Sequence, residues 1–363
     1  MLDESSDENM VSVIRVKVSM RGGPASPDLS QFVGNPGNRW GNCRFSINGS
    51  EEEADVWLVY EDLDDSDTAC VVPPSRTAFL SAETSWGPGF YSDSPIRMEF
   101  LRQFALIYTC HDIYLPSVVN SPPFLPWMIN GNHGASFLAP HHRDLRFFEA
   151  LNSIEKRKDI SVFCSTQSLT AEHRMRLRFV EELKAHFGER LDWFGNGVNP
   201  LPQKWEGIAP YRYTLVLENQ SADSVFTEKI YDAFLGLSYP IYWGAPDLDR
   251  FFDRSSFTAI NIRDLHGSIE TITSLIDSSV AEERVDALVE SKNRVLNQWN
   301  LFGRLARVAE ELVAASPEAV PTLVSLQPWS SRSPSRLRGG VRGMAGRALG
   351  RAARQLARDA DSN

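Results

Sequence analysis

The chain has 363 residues, which is long enough for two domains that each bury a core. Its composition is that of an ordinary globular protein, with 42% hydrophobic residues, 23% charged residues and a formal net charge of −10. Residues 331–363 contain eight arginines and two aspartates, so this tail carries +6 and the remainder carries −16. An acidic body argues against nucleic-acid binding.

The amino terminus, MLDESSDENM, is acidic where a secretory signal peptide would be basic. No apolar run approaches the roughly 20 residues that a helix needs to cross a bilayer. These features predict a cytoplasmic protein.

Cysteines and acidic clusters give no clear metal site. The four cysteines are far apart, and two of them lie in apolar strand-like runs, which favours free buried thiols over disulfides or zinc ligands. The motifs Asp62-Leu-Asp64-Asp65 and Asp247-Leu-Asp249 have Asp-x-Asp spacing, but acidic clusters of this kind are typical of solvated loops. We predict no required cofactor and leave dependence on a divalent metal open.

The first half of the chain reads as four strands, at residues 11–19, 54–60, 77–82 and 104–110. The third strand is followed directly by Glu83 and then by a loop rich in turn-forming residues, Thr84 to Gly89. This places Glu83 at the carboxyl end of a strand, where ligands bind in parallel sheets. From the residues alone, Glu83 is one of several equally suitable carboxylates.

A hinge is predicted between residues 151 and 158, followed by a buried strand at 159–165 and a helix through HRMRLRFVEELKAHFG. Placing the helical residues at 100° intervals puts Arg176 on the same stripe as Val180, Leu183 and Phe187. Arg174 and Arg178 fall on the opposite, solvated side. An inward arginine near a helix amino end either extends its guanidinium to water or binds an anion.

Residues 211–217 form the most apolar strand of the second half, and they end at Glu218-Asn219. Strands that alternate little are expected in a parallel sheet covered on both faces. Because ligands bind beyond the carboxyl ends of such strands, Asn219 lies where a ligand is expected.

The next helix is predicted to begin near Ser224 to Thr227, because Ile230, Ala233, Phe234 and Leu237 form an apolar stripe. Its first turn holds Glu228 and Lys229. Glu228 suits the positive end of the helix dipole, whereas Lys229 opposes it at a cost of about 0.3 to 1 kcal/mol unless an anion is bound there. The alternative is a solvated helix start with an ordinary surface ion pair.

The remaining elements complete the organisation of the chain. Residues 256–262 read as a strand and 281–314 as mostly helical. We predict an amino-terminal domain over 1–152, a second domain over 153–305, a helix and connection over 306–330, and the basic tail. Within the tail, 341–360 has helical apolar spacing among arginines, so it is either an amphipathic helix on an anionic membrane or a disordered arm.

The segments ENQ at 218–220, TEK-x-x-DA at 227–233 and SYPIYWGAP at 238–246 resemble the α-1,3/4-fucosyltransferases of glycosyltransferase family 10, particularly the bacterial members. The resemblance is strong from residue 159 to 264 and weak outside it. It implies an α/β GT-B fold, in which two Rossmann-like domains face each other across a cleft and the second holds GDP-fucose.

The resemblance also implies the donor-binding residues. Asn219, Glu228 and Lys229 would contact the nucleotide sugar, with Lys229 and Arg176 on the diphosphate. The family usually has an aromatic residue two positions before the threonine of TEK, and here that donor-binding position is Val225.

Relatives carry a glutamate after a strand comparable to 77–82, so the resemblance implies that Glu83 is the general base. The expected reaction is an inverting transfer of L-fucose from GDP-fucose to a hydroxyl of a glycan acceptor, such as the 3- or 4-OH of a GlcNAc- or Glc-type residue. The alternatives are a GT-B enzyme that uses another nucleotide sugar, and a non-catalytic module that binds a nucleotide sugar or glycan. If the tail binds a membrane, the acceptor would be lipid-linked and the protein peripheral at the inner membrane face.

Overall fold

The computed structural model describes residues 12–23, 29–34, 37–82, 84, 95–131, 143–168 and 170–329. Glu83 and the basic tail at 331–363 therefore lie outside the described residues. The described chain contains helices α1 Ser30–Val33, α2 Pro95–Leu101, α3 Leu145–Ala150, α4 Ala171–Phe187, α5 Glu228–Leu235, α6 Leu265–Ile276, α7 Val280–Glu283, α8 Val285–Asn297 and α9 Leu301–Ala315.

The amino-terminal half builds a seven-stranded sheet in the order β2-β3-β1-β4-β6-β7-β8. Neighbouring strands in it are parallel except for β2 and β3, which are antiparallel. The strands of this half are β1 Ile14–Met20, β2 Arg39–Trp40, β3 Cys43–Ile47, β4 Val56–Tyr60, β5 Ala69–Val72, β6 Thr77–Leu80, β7 Leu106–Thr109 and β8 Val118–Asn120.

The second half builds a five-stranded parallel sheet in the order β10-β9-β11-β12-β13. Its strands are β9 Lys158–Phe163, β10 Leu191–Phe194, β11 Tyr211–Leu217, β12 Tyr239–Trp243 and β13 Thr258–Ala259. The central strand β11 is buried at six of its seven positions, because helices cover both faces of the sheet. Residues 151–157, between α3 and β9, form neither helix nor strand.

The strand order of the second sheet locates its ligand-binding edge. The chain passes from β9 outward to β10 and then returns to the other side of β9 to form β11. Helices after β9 and β11 thus leave the sheet in opposite directions, and a crevice opens at the carboxyl ends of these two strands. This topological switch point lies beside Leu217, Glu218 and Asn219.

The last helix and strand return to the amino-terminal unit. Phe302 of α9 lies 5.3 Å from Phe45 of β3, measured between ring centroids. Farther along the chain, β14 Thr322–Ser325 pairs antiparallel with β5. The domain boundary predicted at residue 305 therefore falls within α9, and the amino-terminal unit is completed by the end of the described chain.

The predicted α/β fold with two Rossmann-like domains is confirmed, as expected for the GT-B class. Strand 211–217 has the predicted bounds, whereas the strand predicted at 256–262 shortens to the two residues of β13. The four cysteines are free and buried, as predicted. Among the helices of the described chain, none is both long and apolar enough to span a membrane.

Candidate donor site

Arg176 points into the switch point from α4. It is 6% exposed, while Arg174 and Arg178 on the same helix are exposed, as the helical spacing predicted. Its Nη1 donates to the backbone carbonyl of Leu217 at 3.3 Å and to the side-chain oxygen of Asn219. The structure therefore brings together two of the predicted donor-binding residues at the end of β11.

Glu218 organises the start of α5, a role that sequence reasoning did not assign. This residue is 1% exposed, and its carboxylate accepts hydrogen bonds from the backbone N–H of Thr227 at 2.8 Å and from the Thr227 hydroxyl at 2.7 Å. The same carboxylate accepts from Nζ of Lys229 at 3.1 Å. Glu218 thus fixes the helix amino end and its lysine against the end of β11.

Gly244 makes this arrangement possible. A Cβ atom built at this position would lie 2.5 Å from Cγ of Glu218 and would also meet the hydroxyl of Tyr242. Any larger side chain would displace Glu218, so the glycine of the YWG sequence allows the side chains of Glu218 and Tyr242 to pack against the backbone at position 244. The ENQ and YWG segments are joined here, since Glu218 N donates to the carbonyl of Trp243 at 2.9 Å.

Lys229 is held as a cation between two carboxylates. Its Nζ lies 3.1 Å from Glu218 and 3.5 Å from Glu228, and its side chain keeps 23% of its surface exposed. Burial acts to lower the pKa of Lys229, but the two carboxylates outweigh it and the net shift is upward. Burial likewise acts to raise the pKa of Glu228, but Lys229 and Lys204 outweigh it and lower that pKa to about 2. The solvated surface pair considered from sequence is replaced by a largely buried ionic cluster.

Val225 lies inside the protein in this structure, with 1% of its surface exposed. The neighbouring Phe226 is fully buried and packs 4.8 Å from Phe251 and 5.2 Å from Trp299, between ring centroids. Neither side chain takes the exposed position of an aromatic platform. The assignment of Val225 to donor binding stays a prediction.

The loop before α5 is fixed by Asp247, the first aspartate of the Asp247-Leu-Asp249 motif. Its carboxylate accepts from the backbone N–H of Ser224 at 2.7 Å, and Ser224 adopts a left-handed φ of +61°. Asp247 also pairs with Arg250 at 3.1 Å. Within the part of the chain that is described, no group of three or more His, Cys, Asp or Glu residues could hold a metal ion.

Asp232, the aspartate of the TEK-x-x-DA sequence, links the two halves of the molecule. It is 1% exposed, and its carboxylate accepts from the backbone N–H of Met128 at 2.7 Å and from Nζ of Lys204 at 2.8 Å. Because α5 also carries Lys229, this contact sets the position of the candidate site relative to the segment that contains Met128. A sequence cannot reveal this role, since the partners lie 104 and 28 positions away.

Replacing Lys204 with methionine is expected to destabilise the protein by about 3 to 5 kcal/mol at pH 7.5, because Asp232 would be left buried without its cation. Burial raises the pKa of Asp232 to about 6, although Lys204 opposes the shift. The stability that this group contributes is therefore complete below pH 4 and is lost as the pH rises through 6. Without Lys204 the pKa of Asp232 rises further, so the difference in stability between the variant and the wild type should be smaller at pH 5 than at pH 7.5.

Denaturant unfolding at both pH values measures this difference. Lys158→Met is the matched control, because Lys158 forms an ion pair of the same 2.8 Å length with Asp192 but is 55% exposed. It should cost at most about 1 kcal/mol at either pH. If Lys204→Met lost no more stability than the control, or lost the same amount at both pH values, the proposed coupling between Lys204 and the ionisation of Asp232 would be contradicted.

Glu83, the predicted general base, lies outside the described residues, but its neighbours are described. Ala82 is 8% exposed and Thr84 is 5% exposed. The backbone N–H of Ala82 donates to Oε1 of Glu61, which directly follows β4, at 2.6 Å. The segment before Glu83 is thereby joined to the carboxyl edge of the amino-terminal sheet.

Comparison with known proteins finds a family match in the second half of the chain. Residues 154–278 match the model of the glycosyltransferase family 10 (fucosyltransferase) C-terminal domain. The alpha-(1,3)-fucosyltransferase FucT of Helicobacter pylori is 36% identical over 72 residues, which are 20% of this chain and 15% of the length of that relative.

Two solved structures align with most of this chain at low sequence identity. An alpha1,3-fucosyltransferase crystallised with GDP aligns over 86% of this chain and 94% of its own, with 16% identity and a TM-score of 0.47. An alpha-glucosyltransferase in complex with UDP and a DNA 13-mer aligns over 82% of this chain and 100% of its own, with 10% identity and a TM-score of 0.48.

The residues matched by the family model include Arg176, Asn219, Glu228 and Lys229, which the structure gathers at one edge of the second sheet. Residues 154–278 are therefore similar to the C-terminal domain of glycosyltransferase family 10, the fucosyltransferases.

Proposed function

We propose that the protein is a glycosyltransferase that moves L-fucose from GDP-fucose to a hydroxyl of a glycan acceptor, with inversion at the anomeric carbon. The observation that carries this proposal is the pair of cationic side chains, Arg176 and Lys229, at the switch point of the second sheet. Two fixed cations beside a helix amino end suit the diphosphate of a nucleotide sugar.

The chemistry follows from the charge that develops as the glycosidic bond to phosphate breaks. Glu83 takes the proton of the acceptor hydroxyl while its oxygen attacks C1 of fucose, through a transition state with oxocarbenium character. The departing GDP gains negative charge, which Arg176, Lys229 and the amino end of α5 stabilise. Such preorganised donors contribute about 3 to 4 kcal/mol each to transition-state stabilisation.

For the acceptor we propose the 3- or 4-OH of a GlcNAc- or Glc-type residue, by analogy with the family. We also propose a cytoplasmic location, with peripheral contact to an anionic inner membrane face and a lipid-linked acceptor, which the basic composition of residues 331–363 supports.

The burial of Val225 and Phe226 favours the two alternative functions. Without an aromatic platform at this position, the site is suited to another nucleotide sugar, or to binding without transfer. Incubating the purified protein with GDP-fucose or GDP-mannose and a glycan-acceptor array separates these functions. Of the two donors, we expect only GDP-fucose to release GDP and to give a glycosylated acceptor. Nucleotide binding without turnover on any acceptor would favour the binding module.

Arg176→Ala is expected to weaken GDP binding by about tenfold or more, because a charge-assisted hydrogen bond to phosphate is lost. Arg174→Ala and Arg178→Ala are the matched controls, since they remove the same charge from the exposed side of the same helix. Calorimetric titration with GDP should show binding within about twofold of wild type for both controls. Equal losses for all three variants would mean that only the overall charge of α4 matters.

A further inference from the structure

His173 is a buried histidine of α4 that the proposed mechanism does not use. It is 7% exposed, and its Nδ1 atom is buried without a hydrogen-bond partner among the described residues. Polar atoms buried without a partner are rare in folded proteins, and each calls for an explanation such as a ligand or a catalytic role.

The position of His173 in the helix connects it to the donor site. The helix α4 has 17 residues, and the Thr170 hydroxyl caps it by accepting from the backbone N–H of His173 at 3.1 Å. His173 therefore lies in the first turn, at the positive end of the helix dipole. It precedes Arg176 by three residues, so both side chains share the buried face of the helix that meets the end of β11.

Burial and the nearby cations favour the neutral imidazole of His173 when no anion is present. Burial lowers the pKa of His173, and the positive charges of Arg176 in α4 and Lys229 in α5 lower it further, while Glu172 acts in the opposite direction. A diphosphate placed between Arg176 and Lys229 would reverse the sign of the local potential. Protonation of His173 would then be favoured, and the cation would have an anion to bind.

We propose that His173 is a further donor-binding residue, whose imidazole takes up a proton from solvent when a nucleoside diphosphate sugar binds and then donates a hydrogen bond to a phosphate oxygen. The inference rests on the proposed function, because it assumes that the switch point holds the diphosphate. It explains why a buried polar atom is left without a partner in the protein itself.

Proton uptake on binding tests this proposal. The full chain is titrated calorimetrically with GDP-fucose at pH 7, without acceptor, in buffers of different ionisation enthalpy. Both phosphates of this ligand are esterified, so neither takes up a proton near neutral pH. We expect a net fractional uptake of protons by the wild-type protein and none by His173→Gln. The affinity of the wild type should also fall as the pH rises from 6 to 8.

A second variant separates ligand binding from a purely structural role. His173→Leu should bind GDP-fucose about tenfold more weakly, because a charge-assisted hydrogen bond is lost. Its melting temperature should be unchanged or higher, because the unpartnered atom is removed from the interior. His186→Gln, at the exposed end of the same helix, is the matched control and should change neither quantity.

The outcomes distinguish this proposal from the proposed function. If the wild type binds GDP-fucose without proton uptake and both His173 variants bind equally well, the histidine has no role in donor binding and the transferase proposal stands. A melting temperature that falls together with affinity in His173→Leu would assign His173 to folding instead. If the wild type does not bind GDP-fucose, both proposals fail.

Discussion

Replacing Glu83 with glutamine is expected to lower the rate of fucosyl transfer by about 10²- to 10⁴-fold, the usual contribution of a general base. Glutamine has nearly the same shape as glutamate but cannot accept the proton of the acceptor hydroxyl. The affinity for GDP-fucose should stay within about twofold of wild type, because the cations that we propose to hold the diphosphate belong to the other domain. Initial rates with a soluble glycan acceptor and calorimetric titration with GDP-fucose measure the two quantities separately.

Glu61 provides the matched control for this experiment. It follows β4 in the same sheet, has a left-handed φ of +66°, and accepts hydrogen bonds from the backbone N–H of Ala82 and the hydroxyl of Ser81. Glutamine at position 61 would keep an oxygen to accept these bonds, so Glu61→Gln should retain transfer within a few-fold. If Glu61→Gln abolished transfer and Glu83→Gln did not, the role of base would pass to Glu61.

The pH dependence of kcat/KM gives an independent measurement. A carboxylate base must be ionised, so the wild-type rate should fall on the acidic side of the profile. The acidic limb should be absent from the residual activity of Glu83→Gln. An unchanged limb would show that the titrating group is elsewhere.

Local sequence patterns predicted the strand and the inward arginine of the candidate donor site, because the forces that form these two features are local. Strand 211–217 is bounded by its own apolar run and by the polar Glu218-Asn219 that ends it, so its predicted and observed bounds agree. The inward direction of Arg176 follows from the 100° rotation per residue, which requires only that α4 has an apolar stripe.

Features that depend on distant parts of the chain were missed. The roles of Glu218 and Asp232 come from contacts with Thr227, Lys229, Met128 and Lys204, which become neighbours only after folding. Both residues belong to the sequences that resemble the family, yet a motif does not say which of its members contact a ligand and which position those that do. The structure assigns these two carboxylates to positioning.

The two short edge strands were predicted poorly for a different physical reason: β10 was not predicted, and β13 was predicted too long, over 256–262. The strand β10 has four residues and β13 has only two, which is at or below the roughly four residues over which an apolar pattern identifies a strand. The return of α9 and β14 to the amino-terminal unit was also not predicted. An apolar helical stripe shows that a helix packs on something, but it does not identify the partner.

Lys229→Met is expected to weaken GDP binding by about 10- to 100-fold and to lower kcat by about 10²- to 10³-fold. In the proposed function, the ammonium group attracts the diphosphate of the bound donor, and it does so more strongly in the transition state, where the leaving GDP gains charge. Because Lys229 also neutralises Glu218, which is 1% exposed, its loss should destabilise the free protein by about 3 to 5 kcal/mol. A weaker site could therefore result from lost contact or from local unfolding.

The double variant Lys229→Met with Glu218→Gln separates these two causes. Glutamine keeps an oxygen to accept from the backbone N–H of Thr227 but removes the unpaired negative charge. Thermal unfolding should show that most of the lost stability returns, whereas titration with GDP should still show weak binding and the assay should still show slow transfer. If affinity and rate returned together with stability, Lys229 would act only by neutralising Glu218, and the diphosphate would depend on Arg176 and the amino ends of the two helices.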